Sequence, residues 1–202
     1  MNTKIISDKA LSVIDQYAHF RVANAICSIP YYNNRKIGVR GGLRALIGKG
    51  SPKDIFDEVE ILSLKQKVDL KTLDGESLKK FMVDNDIGID CSGFAYYILN
   101  AECLARGLGT LDKHLSFPFT KKGWFGKIRA RLHPENNTDV ATFSHDKNSH
   151  IVSIDKIEPG DIITMNKLPD APEEDRARNH ILIIHQVEYQ NFVPTTIHYS
   201  HS

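Results

Sequence analysis

The stretch that decides the fold is Gly88-Ile89-Asp90-Cys91-Ser92-Gly93-Phe94. Asp90 is a good helix N-cap, because its carboxylate can accept a hydrogen bond from an unpaired N–H of the first helical turn. Apolar residues then recur at helical spacing until Gly107, a residue type that commonly ends helices. The sequence therefore predicts a long core helix from about Cys91 to Arg106, with a cysteine as its first residue.

That position favours chemistry at Cys91. Cysteine attacks as the thiolate, and a free thiol with a pKa of about 8.5 is mostly protonated at neutral pH. The unpaired N–H groups and the dipole of a helix N-terminus stabilise an anion, so we expect a lowered pKa and reaction well below pH 8. Ser92 and Gly93 are small and are predicted to leave space for a substrate carbonyl. The backbone N–H of Cys91 is a candidate oxyanion donor.

A thiol nucleophile needs a base and a residue that orients the base. His180 opens the apolar run His180-Ile181-Leu182-Ile183-Ile184, and the end of such a buried strand can hold an imidazole beside a helix terminus. We therefore predict His180 as the base. The next strand offers His198 and His201, which alternation puts on opposite faces, so only one can point at His180. The residues alone leave that choice open.

The rest of the chain reads as helices followed by strands. A first helix starts at Ser7 and is predicted to end before Pro30, with Cys27 as a packing residue near its end. Helices are also predicted from Ser51 and over Glu76–Val83, within a mostly helical insertion at about 33–86. Strand-like segments follow at 151–154, 161–165, 180–189 and 195–201. This order predicts an α+β fold in a single domain, 1–202.

Composition excludes several classes of protein. There are 26 basic and 25 acidic residues, so no overall field argues for specific nucleic acid or membrane binding. No apolar run reaches the roughly 18 residues of a spanning helix. The N-terminus shows no signal peptide. Three cysteines without a CxxC pair predict a reducing compartment, which by sequence is the cytoplasm, and Cys103 is expected in the core.

No metal or cofactor is expected, since no HExxH or cysteine-pair pattern occurs and His180 and His185 fall on opposite faces of one strand. Two basic stretches, 35–53 and 121–131, stay open to two interpretations. They are solvated surfaces, or they bind an anionic polymer. We expect a monomer.

The motif at residues 88–94 resembles in full the nucleophile motif of the NlpC-type papain-like cysteine peptidases, which cleave peptides of bacterial cell walls. Ile-Glu-Pro-Gly-Asp-Ile at 157–162 is similar to the entry of a strand in that family. Residues 180–183 resemble the strand that starts with its basic histidine, and 197–200 the strand with its third polar residue. The resemblance implies a papain-like fold, with the nucleophile helix packed on a small antiparallel sheet. It favours His198 over His201.

Ile29-Pro30-Tyr31 resembles the segment whose tyrosine helps to hold the oxyanion in that family, which makes Tyr31 a candidate for that role. In the family this segment runs almost directly into the cysteine motif, whereas here residues 33–86 intervene. Such folds continue through further strands beyond the third residue, which leaves open whether the chain is a fragment. The resemblance also implies a peptide or peptidoglycan substrate and a location at the cell envelope.

Three functions are compatible with these residues. The first is amide hydrolysis through Cys91, His180 and a thioester. The second is acyl or amide transfer to an amine at the same site. The third is a non-catalytic module that binds an anionic polymer and is indifferent to Cys91.

Overall fold

A computed structural model describes residues 2–32, 44–118, 132–165 and 179–202. The fold is α+β, as predicted. Its helices are α1 (Asp8–Ala18), α2 (Pro52–Gln66), α3 (Gly75–Asp84), α4 (Cys91–Ala105) and α5 (Val140–Phe143). Its strands are β1 (Asn2–Ile5), β2 (Phe20–Val22), β3 (Ala25–Cys27), β4 (Ile162–Met165), β5 (His180–Gln190) and β6 (Val193–Ser200).

Helix α4 confirms the central prediction. Its N-cap is Asp90, whose Oδ1 accepts a hydrogen bond from the Gly93 N–H at 2.6 Å. The helix ends at Ala105, and Gly107 follows with a φ of +74°. Phe94 and Ile98 are buried on one side of it, in the main core. The helix is therefore fixed at both ends by local chemistry and in the middle by burial.

Helix α1 is shorter than predicted. It ends at Ala18, and β2 and β3 form a small antiparallel hairpin where the helix was expected to continue. Phe20 and Val22 are buried and Arg21 between them is exposed, so the period is that of a strand. Cys27 consequently lies in β3 rather than near a helix end, although it packs against the core as expected.

Helices α2 and α3 confirm the helical prediction for the described part of 33–86, and residues 33–43 lie outside the described residues. Ser51 caps α2 in a capping box with Asp54. Buried residues of both helices, such as Ile55 and Met82, belong to the same core as α4. The two helices therefore help to form the core that supports the nucleophile helix.

The main sheet is built around β5. Ile183 pairs with Ile162 of β4 on one side and with Ser200 of β6 on the other. Further along, β1 pairs with β5 over Asn2–Ile5 and joins the edge that β4 occupies. All these pairings are antiparallel. One face of β5 buries Ile181 and Ile183 in the core that holds α4, so the sheet and the nucleophile helix share that core.

Two strand expectations need correction. The sequence order suggested helices first and strands afterwards, but the N-terminal β1 joins the sheet. Its four residues carry no alternating pattern, and only the distant β5 makes them a strand. Conversely, 151–154 is not a strand, because the Ile151 side chain is fully exposed and Ile154–Lys156 forms a 3-10 turn. Apolar residue type alone predicted it wrongly.

Candidate functional site

The start of α4 meets the start of β5 at Cys91. The Cys91 side chain is only 5% exposed and belongs to the main core. The backbone N–H groups of Ile181 and Ser92 act on its sulfur and favour the thiolate. Ile181 directly follows His180, the first residue of β5. The fold thus brings the predicted nucleophile next to the strand that begins with the predicted base.

The predicted low pKa of Cys91 is wrong in this structure. Burial raises the pKa of the Cys91 thiol, and the neighbouring Asp90 carboxylate raises it further. The Ile181 and Ser92 N–H groups and the Lys49 ammonium pull the pKa the other way without cancelling the rise. Desolvation of the charged form outweighs the helix terminus, because the sulfur lies inside the core rather than at an open helix end.

His180 and His201 form a histidine pair at the start of β5. Their rings meet edge to face with centroids 5.4 Å apart. Partial burial lowers the pKa of His180, and the charge of His201 lowers it further. Within the described residues, no hydrogen bond joins the Cys91 sulfur to the His180 ring. Ile181, the neighbour of His180 in sequence, is the residue of β5 that shares the core with Cys91, and burial favours the neutral forms of both the thiol and the imidazole.

The preference for His198 as the orienting residue is corrected by the geometry. His198 Nε2 lies 3.1 Å from a Glu188 carboxylate oxygen, and its ring centroid lies 6.2 Å from that of His185. The physical reason is the antiparallel register, in which Ser200 pairs with Ile183 and His198 with Gln186, so the residues at the end of β6 and not His198 lie beside the start of β5. His201, just beyond the end of β6, is the histidine beside His180.

His185 and Ser200 complete the second histidine group. The Ser200 hydroxyl lies 2.9 Å from His185 Nδ1. Burial lowers the pKa of His185, and the neighbouring His198 lowers it further. Two separate histidine pairs therefore lie along β5, namely His180 with His201 at its start and His185 with His198 further along.

The tyrosine segment lies directly beside the cysteine motif. Tyr31 forms a parallel bridge with Ile89, two residues before Cys91. The Ile89 N–H donates to the Pro30 carbonyl at 3.1 Å, and the Tyr32 N–H donates to the Ile89 carbonyl at 3.0 Å. The Tyr31 side chain is 47% exposed. Two segments separated by residues 33–86 in sequence are thus adjacent in space.

Lys49 is a site residue that the sequence interpretation missed. It is 8% exposed, and its ammonium group lies 2.9 Å from both carboxylate oxygens of Asp90. It also donates to the Ser92 hydroxyl at 2.5 Å and to the Thr138 carbonyl at 2.9 Å. In the sequence, Lys49 is one of several cations in the glycine-rich basic stretch 35–53, and nothing there sets it apart. Only the tertiary pairing with an N-cap carboxylate distinguishes it.

The Ser92 side chain is buried in the first turn of α4, and the space that its small size was predicted to leave for a substrate stays a prediction. Its hydroxyl donates to Asp90 Oδ1 at 3.0 Å and accepts from Lys49. Because both hydrogen-bonding directions are used internally, the hydroxyl fastens the first turn of α4. Its backbone N–H is the part that acts on the Cys91 sulfur.

The basic stretches offer little support for an anionic polymer where they are described. In the first stretch, Arg44 pairs with Asp54 and Glu135, and Lys53 pairs with Asp57. Lys49 is buried against Asp90. The cations at 35–43 and the whole second stretch, 121–131, lie outside the described residues.

Among the described residues, no three or more histidine, cysteine or acidic side chains are grouped so as to hold a metal ion. Across the four described ranges, no helix has both the length and the apolar character that a membrane crossing requires.

No family model, curated protein or solved structure matches this chain. The features of this chain that bear on function are the motif around Cys91 and the position of that cysteine, buried at the start of a helix that packs against a strand starting with a histidine.

Proposed function

We propose that this protein is a papain-like cysteine hydrolase that cleaves an amide bond in a peptide, and that the peptide is of cell-wall type. Cys91 is the nucleophile and His180 the base. The observation that carries the proposal is the packing of α4 on β5, in which Cys91 at the start of the helix and Ile181, the residue after His180, are buried in one core. The choice of a cell-wall peptide is supported by the resemblance of residues 88–94 and 157–162 to the NlpC-type motifs.

The protonation states favour a general-base mechanism. The pKa of the Cys91 thiol is raised and the pKa of His180 is lowered, so the neutral thiol and the neutral imidazole are the favoured forms at neutral pH. In the proposed first step, His180 turns to the sulfur and takes its proton while the sulfur attacks the carbonyl carbon. The C–N bond then breaks, and His180 returns the proton to the leaving amine. A thioester on Cys91 remains.

Water completes the cycle. His180 takes a proton from a water molecule, which attacks the thioester carbonyl and releases the carboxylic acid. The proton returns to the sulfur from His180. The tetrahedral oxyanion in each half-reaction is assigned to the Cys91 backbone N–H and to Tyr31, which is placed beside Ile89. His201 orients His180 through the edge-to-face ring contact.

Acyl or amide transfer is the alternative use of the same site. It shares the thioester and replaces water by an amine. Product analysis by mass spectrometry, with and without added amines, separates the two reactions. An amide product that forms at the expense of the free acid indicates transfer.

The test of the proposal is release of acid and amine products from cell-wall peptides by the wild-type chain, Cys91→Ala and the control Cys103→Ala. We expect loss of turnover in Cys91→Ala and retention in Cys103→Ala, since Cys103 packs on the far part of α4. Mass spectrometry of rapidly acidified wild-type reactions should find the acyl adduct on Cys91. If Cys91→Ala retains every activity or binding property of the wild type, the enzyme proposal fails in favour of a binding module.

A further inference from the structure

The ammonium group of Lys49 joins three segments of the chain at the start of α4. A lysine has three N–H donors and no acceptor. Here the donors reach the Asp90 carboxylate, the Ser92 hydroxyl and the Thr138 carbonyl, all within 2.9 Å. The backbone is held as well, since the Lys49 carbonyl accepts from the Tyr97 hydroxyl at 2.8 Å. A fully satisfied buried lysine is thus built into the first turn of the nucleophile helix.

Asp90, the carboxylate that pairs with Lys49, has two opposing effects at the start of α4. Asp90 is needed as the N-cap, because Oδ1 accepts from the Gly93 N–H. Its negative charge also lies next to Cys91 in sequence and disfavours a second negative charge on the sulfur. A cation paired with both carboxylate oxygens keeps the cap and offsets its charge.

We infer that Lys49 is a positioning residue for the nucleophile: it locks the Asp90 cap and the Ser92 hydroxyl in the first turn of α4 and offsets the Asp90 charge at the Cys91 sulfur. This inference rests on the proposed function in one respect, that Cys91 is the nucleophile. The charged groups that act on the sulfur are Asp90 and Lys49, and β5 adds the titratable His180 one residue from Ile181.

The experiment measures the pH dependence of Cys91 alkylation by iodoacetamide, with sites located by mass spectrometry, on the full chain. We expect Lys49→Met to move the midpoint of the profile up by about one pH unit, an about tenfold slower reaction at a fixed pH below the midpoint. Asp90→Asn should move it down. The control Lys80→Met, which removes an exposed lysine paired with Asp84, should leave it unchanged.

A double variant keeps the test decisive if Lys49→Met leaves Asp90 unpaired and fails to fold. Removing both charges of a buried pair is tolerated better than removing one, and Asn is a good N-cap. The comparison is then between Asp90→Asn and the double variant with Lys49→Met. If Lys49 acts through its charge, the midpoint of Cys91 alkylation should be higher in the double variant than in Asp90→Asn, because the two differ only in the cation.

The inference is overturned if Asp90→Asn and the double variant have equal midpoints of Cys91 alkylation. It is also overturned if the wild type and a folded Lys49→Met have equal midpoints. Lys49 would then be a packing residue. Failure of the proposed function looks different. Alkylation reports on the thiol and not on turnover, so a chain in which Cys91→Ala stays active can still show the Lys49 shift. Conversely, an active hydrolase with an unshifted midpoint refutes only the role of Lys49.

Discussion

His180 and His201 meet edge to face with ring centroids 5.4 Å apart, where the start of β5 lies beside the end of β6. The pair sits one residue from Ile181, whose N–H acts on the Cys91 sulfur. His198, the residue that the family resemblance favours, instead contacts Glu188. The identity of the orienting residue is therefore a sharp test of the geometry.

His201→Gln should reduce turnover by about tenfold or more, because an unoriented imidazole is a poorer base. It should also move the acid limb of the rate profile to higher pH, since the charge of His201 lowers the pKa of His180. The measurement is the pH profile of kcat/KM. His198→Gln is the matched control and should leave both quantities close to wild type. If His198→Gln lowered turnover more than His201→Gln does, His198 would instead be the residue that orients His180.

His180→Ala should separate catalysis from thiol acidity. We expect a loss of turnover of about 10²-fold or more, as for other general bases. The midpoint of Cys91 alkylation should stay unchanged, because no hydrogen bond joins the two side chains in the described structure and the pKa of Cys91 is raised by burial first. A midpoint that rises in His180→Ala would instead indicate a preformed thiolate–imidazolium pair.

Acid should destabilise the folded chain near the ordinary pKa of histidine. The pKa values of His180 and His185 are lowered on folding, so the unfolded chain binds protons at a higher pH than the folded one. Stability is then complete above the unfolded value of about 6.5 and falls as pH drops through the folded values. Thermal unfolding between pH 7.5 and 5.0 measures this slope. His185→Gln should flatten it.

Gly48→Ala should disturb the site more than Gly107→Ala. Both glycines have positive φ, +72° and +74°, so an alanine at either position carries a similar backbone cost of about 1–2 kcal/mol. A Cβ at Gly107 meets nothing within 4 Å, whereas one at Gly48 would lie 2.7 Å from the Tyr32 carbonyl oxygen and 3.2 Å from the Asp90 Cβ.

The excess destabilisation of Gly48→Ala isolates this close approach and should reach about 1–3 kcal/mol in denaturant unfolding. If both variants lost the same unfolding free energy, the segments around Tyr32 and Asp90 would be able to move apart without a loss of stability.

Local signals in the sequence determined the elements that carry the chemistry. Asp90 and Gly107 mark the ends of α4, and Ser51 with Pro52 marks the start of α2, because caps and stops depend on neighbouring backbone groups. The β5 run starts at His180 as its apolar residues indicate. These features need no knowledge of the rest of the chain.

Tertiary structure alone decided the rest. Strand β1 exists because β5 pairs with it, and the antiparallel register of β5 with β6 places His201 rather than His198 beside His180. The direction of the Cys91 pKa depends on burial, a property of the whole core, which outweighs the helix terminus that the sequence made visible. Pairing partners and desolvation are set by residues distant in sequence, and Lys49 against Asp90 is the clearest case.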